Sequence, residues 1–288
     1  MLPEAVIELL RAEGCAPTDL RATVGGFSHH SAQATIDGQP CVIKAASLPI
    51  KRADVRHEAR ILNALADTSI PAPRLIAFCE TAEWSVEVLA WLPGNNGLQI
   101  LAAPEPPLAA MVAALGRILA QVHATPLAPL DPHAQIAERV SKVRESLDSL
   151  PLSDEVHSAF QQALAQPAWH APTRSLLHGD AGLHNLLWHE HRASGLLDWE
   201  WAAWGDPQLD LAWVWWTMRW RNLPTELWQH FLDSYAATQP LPNVSVAALH
   251  TLALGHIAAM LVRVHGQTAA WQEWLRRADW TLALANEI

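Results

Sequence analysis

The rhythm of apolar and polar positions changes along this chain, and the change divides it near Leu92. The opening "MLPEAVIELLRAEG" carries Glu4, Glu8 and Arg11 around an apolar side, which predicts a short amphipathic helix. Two or three antiparallel strands follow in "LRATVGGFSHHSAQATIDGQPCVIKAA", and Asp37-Gly38 marks the tight turn between the second and third. Helical spacing returns from about Ala53 to Leu65, with Val55, Ile61, Leu62 and Leu65 on its apolar side. Pro71 and Pro73 hold "IPAPRL" extended. "WSVEVLAWLPG" then predicts one more strand, ending at Pro93-Gly94.

Beyond Gly94 the pattern is helical. Pro104, Pro106 and Pro107 punctuate the entry to "LAAMVAALGRILAQVHA", and two more helical stretches lie between Ala134 and Ala165. A strand-rich island, "SLLHGDAGLHNLLWHEHRASGLLDWE", precedes four helical segments that run to the end. These patterns predict an α+β protein with a mixed N-terminal part over 1–92 and a mainly helical part over 93–288.

Composition narrows the classes. The chain has 288 residues, half of them apolar and 17% charged, enough to build real cores. Its formal net charge is -10 and it holds no basic run, which argues against a nucleic-acid partner and favours cationic small molecules over polyanions. Cys15, Cys41 and Cys79 are odd in number and widely spaced, as in a reducing compartment. The N-terminus lacks the basic start and apolar run of a secretory signal. Val244 to Val264 approaches the length of a membrane span but includes His250, His256 and Arg263, so it reads as a buried helix. A cytoplasmic protein without membrane partners is expected.

The chemistry concentrates in "LLHGDAGLHNLLW" and "GLLDWE". Asp180 and Asn185 lie five apart in a loop between apolar segments, and Asp198 closes a strand thirteen residues later. Phosphoryl transfer needs one carboxylate to orient the attacking hydroxyl, and an amide oxygen with a second carboxylate to hold magnesium against phosphates. The motifs H-G-D-x-x-x-x-N, D-W-E and "GDPQLDLAW" resemble those of the aminoglycoside phosphotransferase and choline kinase-like superfamily, relatives of the protein kinases. The resemblance implies a kinase-like bilobal fold, with an antiparallel sheet and helix clamping ATP or GTP and a helical lobe presenting a small-molecule hydroxyl. It implies Asp180 as the catalytic residue, Asn185 and Asp198 as magnesium ligands, Asp210 as a brace for the catalytic loop, and a structural His178. The short interval from Asp198 to Asp210 leaves no room for the activation segment of a protein kinase.

The N-terminal half supplies candidates for the nucleotide. Gly25, Gly26, Phe27 and Ser28 stand where family members carry a phosphate-covering loop, and the two glycines permit close backbone approach. Lys44 falls on the third strand, like the phosphate-contacting lysine of kinases, and Glu58 falls on the next helix, where it would hold that lysine. Ala90, Trp91 and Leu92 align with the hinge that meets the adenine edge. His184 precedes the motif asparagine where the family often has Pro or Gly, and His29 and His30 sit in the glycine loop. Neither departure removes a group that the reaction needs.

Tryptophans pose a separate question. Leu209, Trp213, Trp216 and Trp220 share one helical stripe with Trp215 turned away, which reads as core packing. Trp199, Trp201 and Trp204 follow the metal aspartate and are candidates for an aromatic wall around a cationic acceptor. The competing reading of the whole chain is a nucleotide-binding regulatory pseudokinase, against which stands the intact set Lys44, Asp180, Asn185 and Asp198.

Overall fold

Alternating small apolar residues build a sheet from the first third of the chain. The computed structural model describes residues 2–23, 30–130, 136–171 and 175–287. In it, α1 (Glu4–Ala12) leads into β1 (Thr18–Ala22), β2 (His30–Ile36) and β3 (Gln39–Ala46). Ala32, Ala34 and Ile36 of β2 are buried while the residues between them are partly exposed, the period of a strand with one face in a core. Asp37 and Gly38 turn into β3 with φ of 50° and 76°, the left-handed pair that a two-residue hairpin requires.

Helix α2 (Pro49–Leu65), β4 (Leu75–Glu80) and β5 (Ser85–Ala90) complete a five-stranded sheet in the order β1-β2-β3-β5-β4, with all neighbours antiparallel. Two details differ from expectation. Helix α2 begins at Pro49 rather than Ala53, because proline at the first helical position needs no amide partner although Ile50 there is exposed. Strand β4 was not expected. It is an edge strand with no alternation in its burial, so its sequence carries no period-two signal.

The chain continues through β6 (Asn95–Asn96), α3 (Gly97–Leu101), α4 (Leu108–Ala124), α5 (Ile136–Leu147), α6 (Asp154–Leu164) and β7 (Ser175–Leu177). It ends with β8 (Leu186–His189), β9 (Arg192–Leu196), β10 (Ala203–Gly205), α7 (Gln208–Trp220), α8 (Leu227–Ala236), α9 (Val246–Val264) and α10 (Thr268–Leu284). Contacts divide it into two compact units. The first comprises Met1–Pro106 and Leu183–Trp201, the second Pro107–Gly182 and Ala202–Ile288. Residues 93–106 and 183–201 therefore pack with the first ninety-two, where the sequence suggested a single break at Leu92. The reason is strand pairing: β6 lies beside β8 and β8 beside β9, drawing the returning segment into the first unit.

The second unit is helical, with a two-stranded β7-β10 ladder. Helices α4 and α8 meet closely at Gly116, where a Cβ would stand 2.5 Å from the Phe231 carbonyl oxygen. Helix α9 is long and apolar enough to cross a membrane by composition. Here it packs against α7, α10 and α6, burying Leu249, Leu252, Ile257 and Leu261. Each such side chain contributes about 1.5–3 kcal/mol.

Candidate active site

In the first unit, strand register places a lysine among carboxylates. Lys44 on β3 pairs with Glu87 on β5, and both point toward α2. The Lys44 Nζ donates to both oxygens of Glu58 at 2.9 Å and to Oδ1 of Asp198 at 2.6 Å. Glu87 Oε1 stands 3.9 Å away. Burial alone would push the Lys44 ammonium down, but the carboxylates of Asp198, Glu58 and Glu87 outweigh it and hold it well above its ordinary value. Glu87 moves the other way from most carboxylates. Burial, and then the Glu58 carboxylate beside it, push its carboxyl well above the usual range. Glu58 also accepts the Trp199 amide at 3.2 Å, which ties α2 to the residue after Asp198.

Asn185 and Asp198 come together through β8 and β9. The Leu197 amide donates to the Asn185 carbonyl at 2.8 Å, and Leu186 pairs with Leu196. Asn185 is 5% exposed, whereas the Asp198 side chain is half exposed and its backbone takes φ 61°. A φ in this region is strained for an aspartate, and such strain concentrates at functional sites. Strand β9 is itself docked near the end of β5: Leu196 donates to the Pro71 carbonyl at 2.7 Å and Ser194 to the Pro93 carbonyl at 2.5 Å. Gly195 leaves the room that Leu92 occupies, since a Cβ there would lie 2.4 Å from Leu92 Cδ1.

At the expected hinge, the amides of Ala90 and Trp91 donate to the carbonyls of Arg74 and Pro40 at 2.8 and 3.1 Å. Gly25, Gly26, Phe27 and Ser28 lie outside the described residues.

Asp180 belongs to the second unit, in the turn after β7. Its amide donates to Nδ1 of His178 at 3.2 Å, and its Oδ1 accepts the Trp213 indole N–H at 2.7 Å. The backbone just before it is held by Asp210 at the start of α7, which accepts the amides of His178 at 2.7 Å and Gly179 at 2.8 Å. Asp210 is fully buried. Burial raises its carboxyl, but the hydrogen bond and charge of His123, with His178, bring it below the ordinary value. An ionised Asp210 only accepts, so His123 Nε2 carries the proton toward it at 3.1 Å, and His123 Nδ1 shares a hydrogen bond with the Tyr235 hydroxyl at 2.7 Å.

The structure thus brings Lys44, Glu58 and Asp198 together, sets Asn185 in the turn just before β8, and ties the backbone preceding Asp180 to Asp210 through the amides of His178 and Gly179. It does not support an aromatic wall made of Trp199 and Trp204. Both are buried, their indoles donating at 2.9 Å to the carbonyls of Leu196 and Leu127. Three contributors escaped the sequence reading: Glu87 beneath Lys44, His123 behind Asp210, and the Trp213 contact to Asp180. Only the strand register and the heptad-like Asp210-Trp213 spacing could have signalled them.

The phosphotransferase enzyme family matches residues 19–250. The chain belongs to this family. By its family it is of the phosphotransferase class. A curated relative, mouse acyl-CoA dehydrogenase family member 10, is 25% identical over 177 residues, covering 55% of this chain but only 16% of that protein's length. Among solved structures, aminoglycoside phosphotransferase APH(4)-Ia, in a ternary complex with AMP-PNP and hygromycin B, has a TM-score of 0.73 at 17% identity, over 98% of both chains. Macrolide 2'-phosphotransferase MphH from Brachybacterium faecium gives 0.62 at 21% identity, over 96% of this chain and 97% of its own. At these identities the likeness shows the phosphotransferase family's fold: an N-terminal antiparallel sheet and a helical C-terminal part.

Proposed function

We propose that this family member transfers the terminal phosphate of ATP or GTP, with magnesium, to a hydroxyl of a small cationic molecule. An amino-alcohol, an aminoglycoside, a thiamine-like vitamin and an amino sugar are the candidate acceptors. The observation that carries the reading is Lys44 held at 2.6–2.9 Å by Glu58 and Asp198, three groups separated by up to 154 residues. A lysine fixed in this way is aimed at phosphate oxygens, and Glu58 keeps it from drifting. The AMP-PNP bound by the APH(4)-Ia structure supports a nucleotide donor.

The donor chemistry of Asn185 and Asp198 fits magnesium. Magnesium takes hard oxygen ligands and binds through one or two carboxylates plus substrate phosphates, so it needs no larger protein cage. Among the described residues no group of three or more His, Cys, Asp or Glu stands ready for a metal, which suits a sparse site of this kind. The ion would neutralise charge on the transferring phosphate. Asp180 would accept a hydrogen bond from the acceptor hydroxyl, orient it in line and take its proton as the bond to phosphorus forms. Asp210 keeps the backbone before Asp180 fixed. With the Ala90 and Trp91 amides engaged inside the protein, the Leu92 amide and the Ala90 carbonyl are the groups proposed for the adenine edge, and Gly25, Gly26, Phe27 and Ser28 for covering the phosphates.

The preference for a cation rests on the net charge of -10 and on Glu200 and Trp201 beside Asp198. The proposed setting is cytoplasmic, without nucleic-acid or membrane partners. The test is a thermal-shift and product assay with magnesium-ATP, magnesium-GTP and a panel of choline, ethanolamine, thiamine, glucosamine and kanamycin. A nucleotide at about a hundred times its Kd should raise the melting temperature by about 4 °C, and one alcohol should yield a phosphate ester. No shift with either nucleotide and no ester would reject the proposal.

A further inference from the structure

The helix that braces the backbone before Asp180 also grips its side chain. Asp210 and Trp213 lie three apart on α7 and so project from one face. Asp210 takes the amides of His178 and Gly179. Trp213 delivers its indole N–H to Asp180 Oδ1 at 2.7 Å. The rotation of a carboxylate about its last bond is intrinsically loose, and a hydrogen bond of this length removes that looseness.

The donor is itself clamped. Trp213 is 6% exposed. Its ring stacks on Trp216 with centroids 4.8 Å apart at 17°, lies 6.3 Å from Trp274, and meets the His256 ring at 5.2 Å. Trp216 stacks on Trp220 in turn, and the Arg277 guanidinium lies over both Trp274 and Trp220. Core filling alone requires none of this at the indole nitrogen. Trp216 shows the ordinary arrangement, donating to Thr281 Oγ1 at 2.8 Å within the helical packing.

We propose that Trp213 is a positioning residue for phosphoryl transfer, setting the orientation of the Asp180 carboxylate toward the acceptor hydroxyl. This rests on the reading of Asp180 as the group that orients that hydroxyl. Trp213 acts on the rate and not on nucleotide binding, because the group it holds is the carboxylate read as orienting the acceptor. The aromatic stack gives the contact its stiffness. Misplacing a catalytic group by an ångström can cost on the order of 10²-fold in rate.

Turnover of magnesium-ATP, to water or to the best alcohol of the panel, is measured on the full chain carrying Trp213→Phe, which keeps a ring and removes the N–H. Expected is a fall in kcat of roughly 10–100-fold with KM for nucleotide and acceptor within about twofold. Trp204→Phe, an equal loss of a buried indole donor outside that stack, should keep the parent kcat. In an Asp180→Asn background, Trp213→Phe should cost nothing further, since its effect passes through that carboxylate. Parent-like kcat in Trp213→Phe, or losses that multiply in the double variant, would overturn the proposal while leaving the kinase reading intact. Parent-like turnover in Asp180→Asn would instead sink the kinase reading. Should Trp213→Phe not fold, the indole N–H signal of Trp213 is followed in the ¹⁵N-labelled chain. Asp180→Ala should shift it and speed its exchange while the Trp216 signal stays, and an unmoved Trp213 signal would overturn the contact.

Discussion

Replacing Asp210 by alanine tests how the backbone before Asp180 is held. The side chain is fully buried and accepts three donors: the amides of His178 at 2.7 Å and Gly179 at 2.8 Å, and His123 Nε2 at 3.1 Å. Removing it leaves these donors without their acceptor in a site closed to water. A buried donor left unpaired costs about 1–3 kcal/mol, and breaking a buried charged pair costs about 3–5 kcal/mol in all. Taking about 4 kcal/mol, and an unfolding entropy near 0.6 kcal/mol per kelvin for a chain of this length, the melting temperature should fall by about 7 °C. Asp210→Asn keeps the shape and one acceptor oxygen but turns an NH₂ toward a donor, so about half of that loss should remain. Activity should fall by more than stability alone dictates, because Gly179 sits directly before Asp180. The assay is scanning calorimetry of both variants beside turnover at a temperature where all are folded. A melting temperature for Asp210→Ala within about 2 °C of the parent would refute the reasoning.

Three more outcomes follow from the same structure. Asp198→Ala and Asn185→Ala should weaken magnesium-nucleotide binding as well as turnover, read by calorimetry with magnesium and with chelator; unchanged metal dependence in Asp198→Ala would misplace the metal. His256, half-buried and packed between Trp169 and Trp213, is pushed down to about 4 by desolvation, against the opposing pull of Asp210, the Leu209 carbonyl and Asp180. The unfolded chain takes up that proton below its ordinary value while the folded one refuses it, so stability is lost as pH falls from about 6.5 toward 4, by about 2 kcal/mol at pH 5. Urea midpoints at neutral pH and pH 5 should show this drop, and His256→Asn should lessen it. For a cationic acceptor, kcat/KM should decline with ionic strength; a neutral or anionic best substrate with no salt dependence would reject the cation preference alone.

What the sequence made legible follows from how local each signal is. The Asp37-Gly38 hairpin, the amphipathic helices and the spacing of Asp180, Asn185 and Asp198 are written in short stretches whose chemistry admits few alternatives. The pairing of Lys44 with Glu58 was inferred from order along the chain, and the structure places them at 2.9 Å. Strand β4 was illegible because an edge strand buries no regular face. Glu87 was read only as one residue of the strand in "WSVEVLAWLPG", since its burial beneath Lys44 depends on β3-β5 register. Trp199 and Trp204 resembled a binding wall because aromatic residues near a motif look alike whether their indoles face a ligand or a carbonyl. Likewise the return of Leu183–Trp201 to the first unit is a matter of long-range pairing, to which composition is blind.

In the proposed function, Asp180 orients and deprotonates a hydroxyl for attack on a magnesium-bound nucleotide. This role is tested most directly by phosphate transfer from magnesium-ATP in the purified Asp180→Asn variant, with nucleotide affinity measured on the same sample. Turnover should fall by at least ~10²-fold, with the nucleotide Kd within about threefold of the parent and the fold retained. Parent-level turnover by that variant would contradict the role.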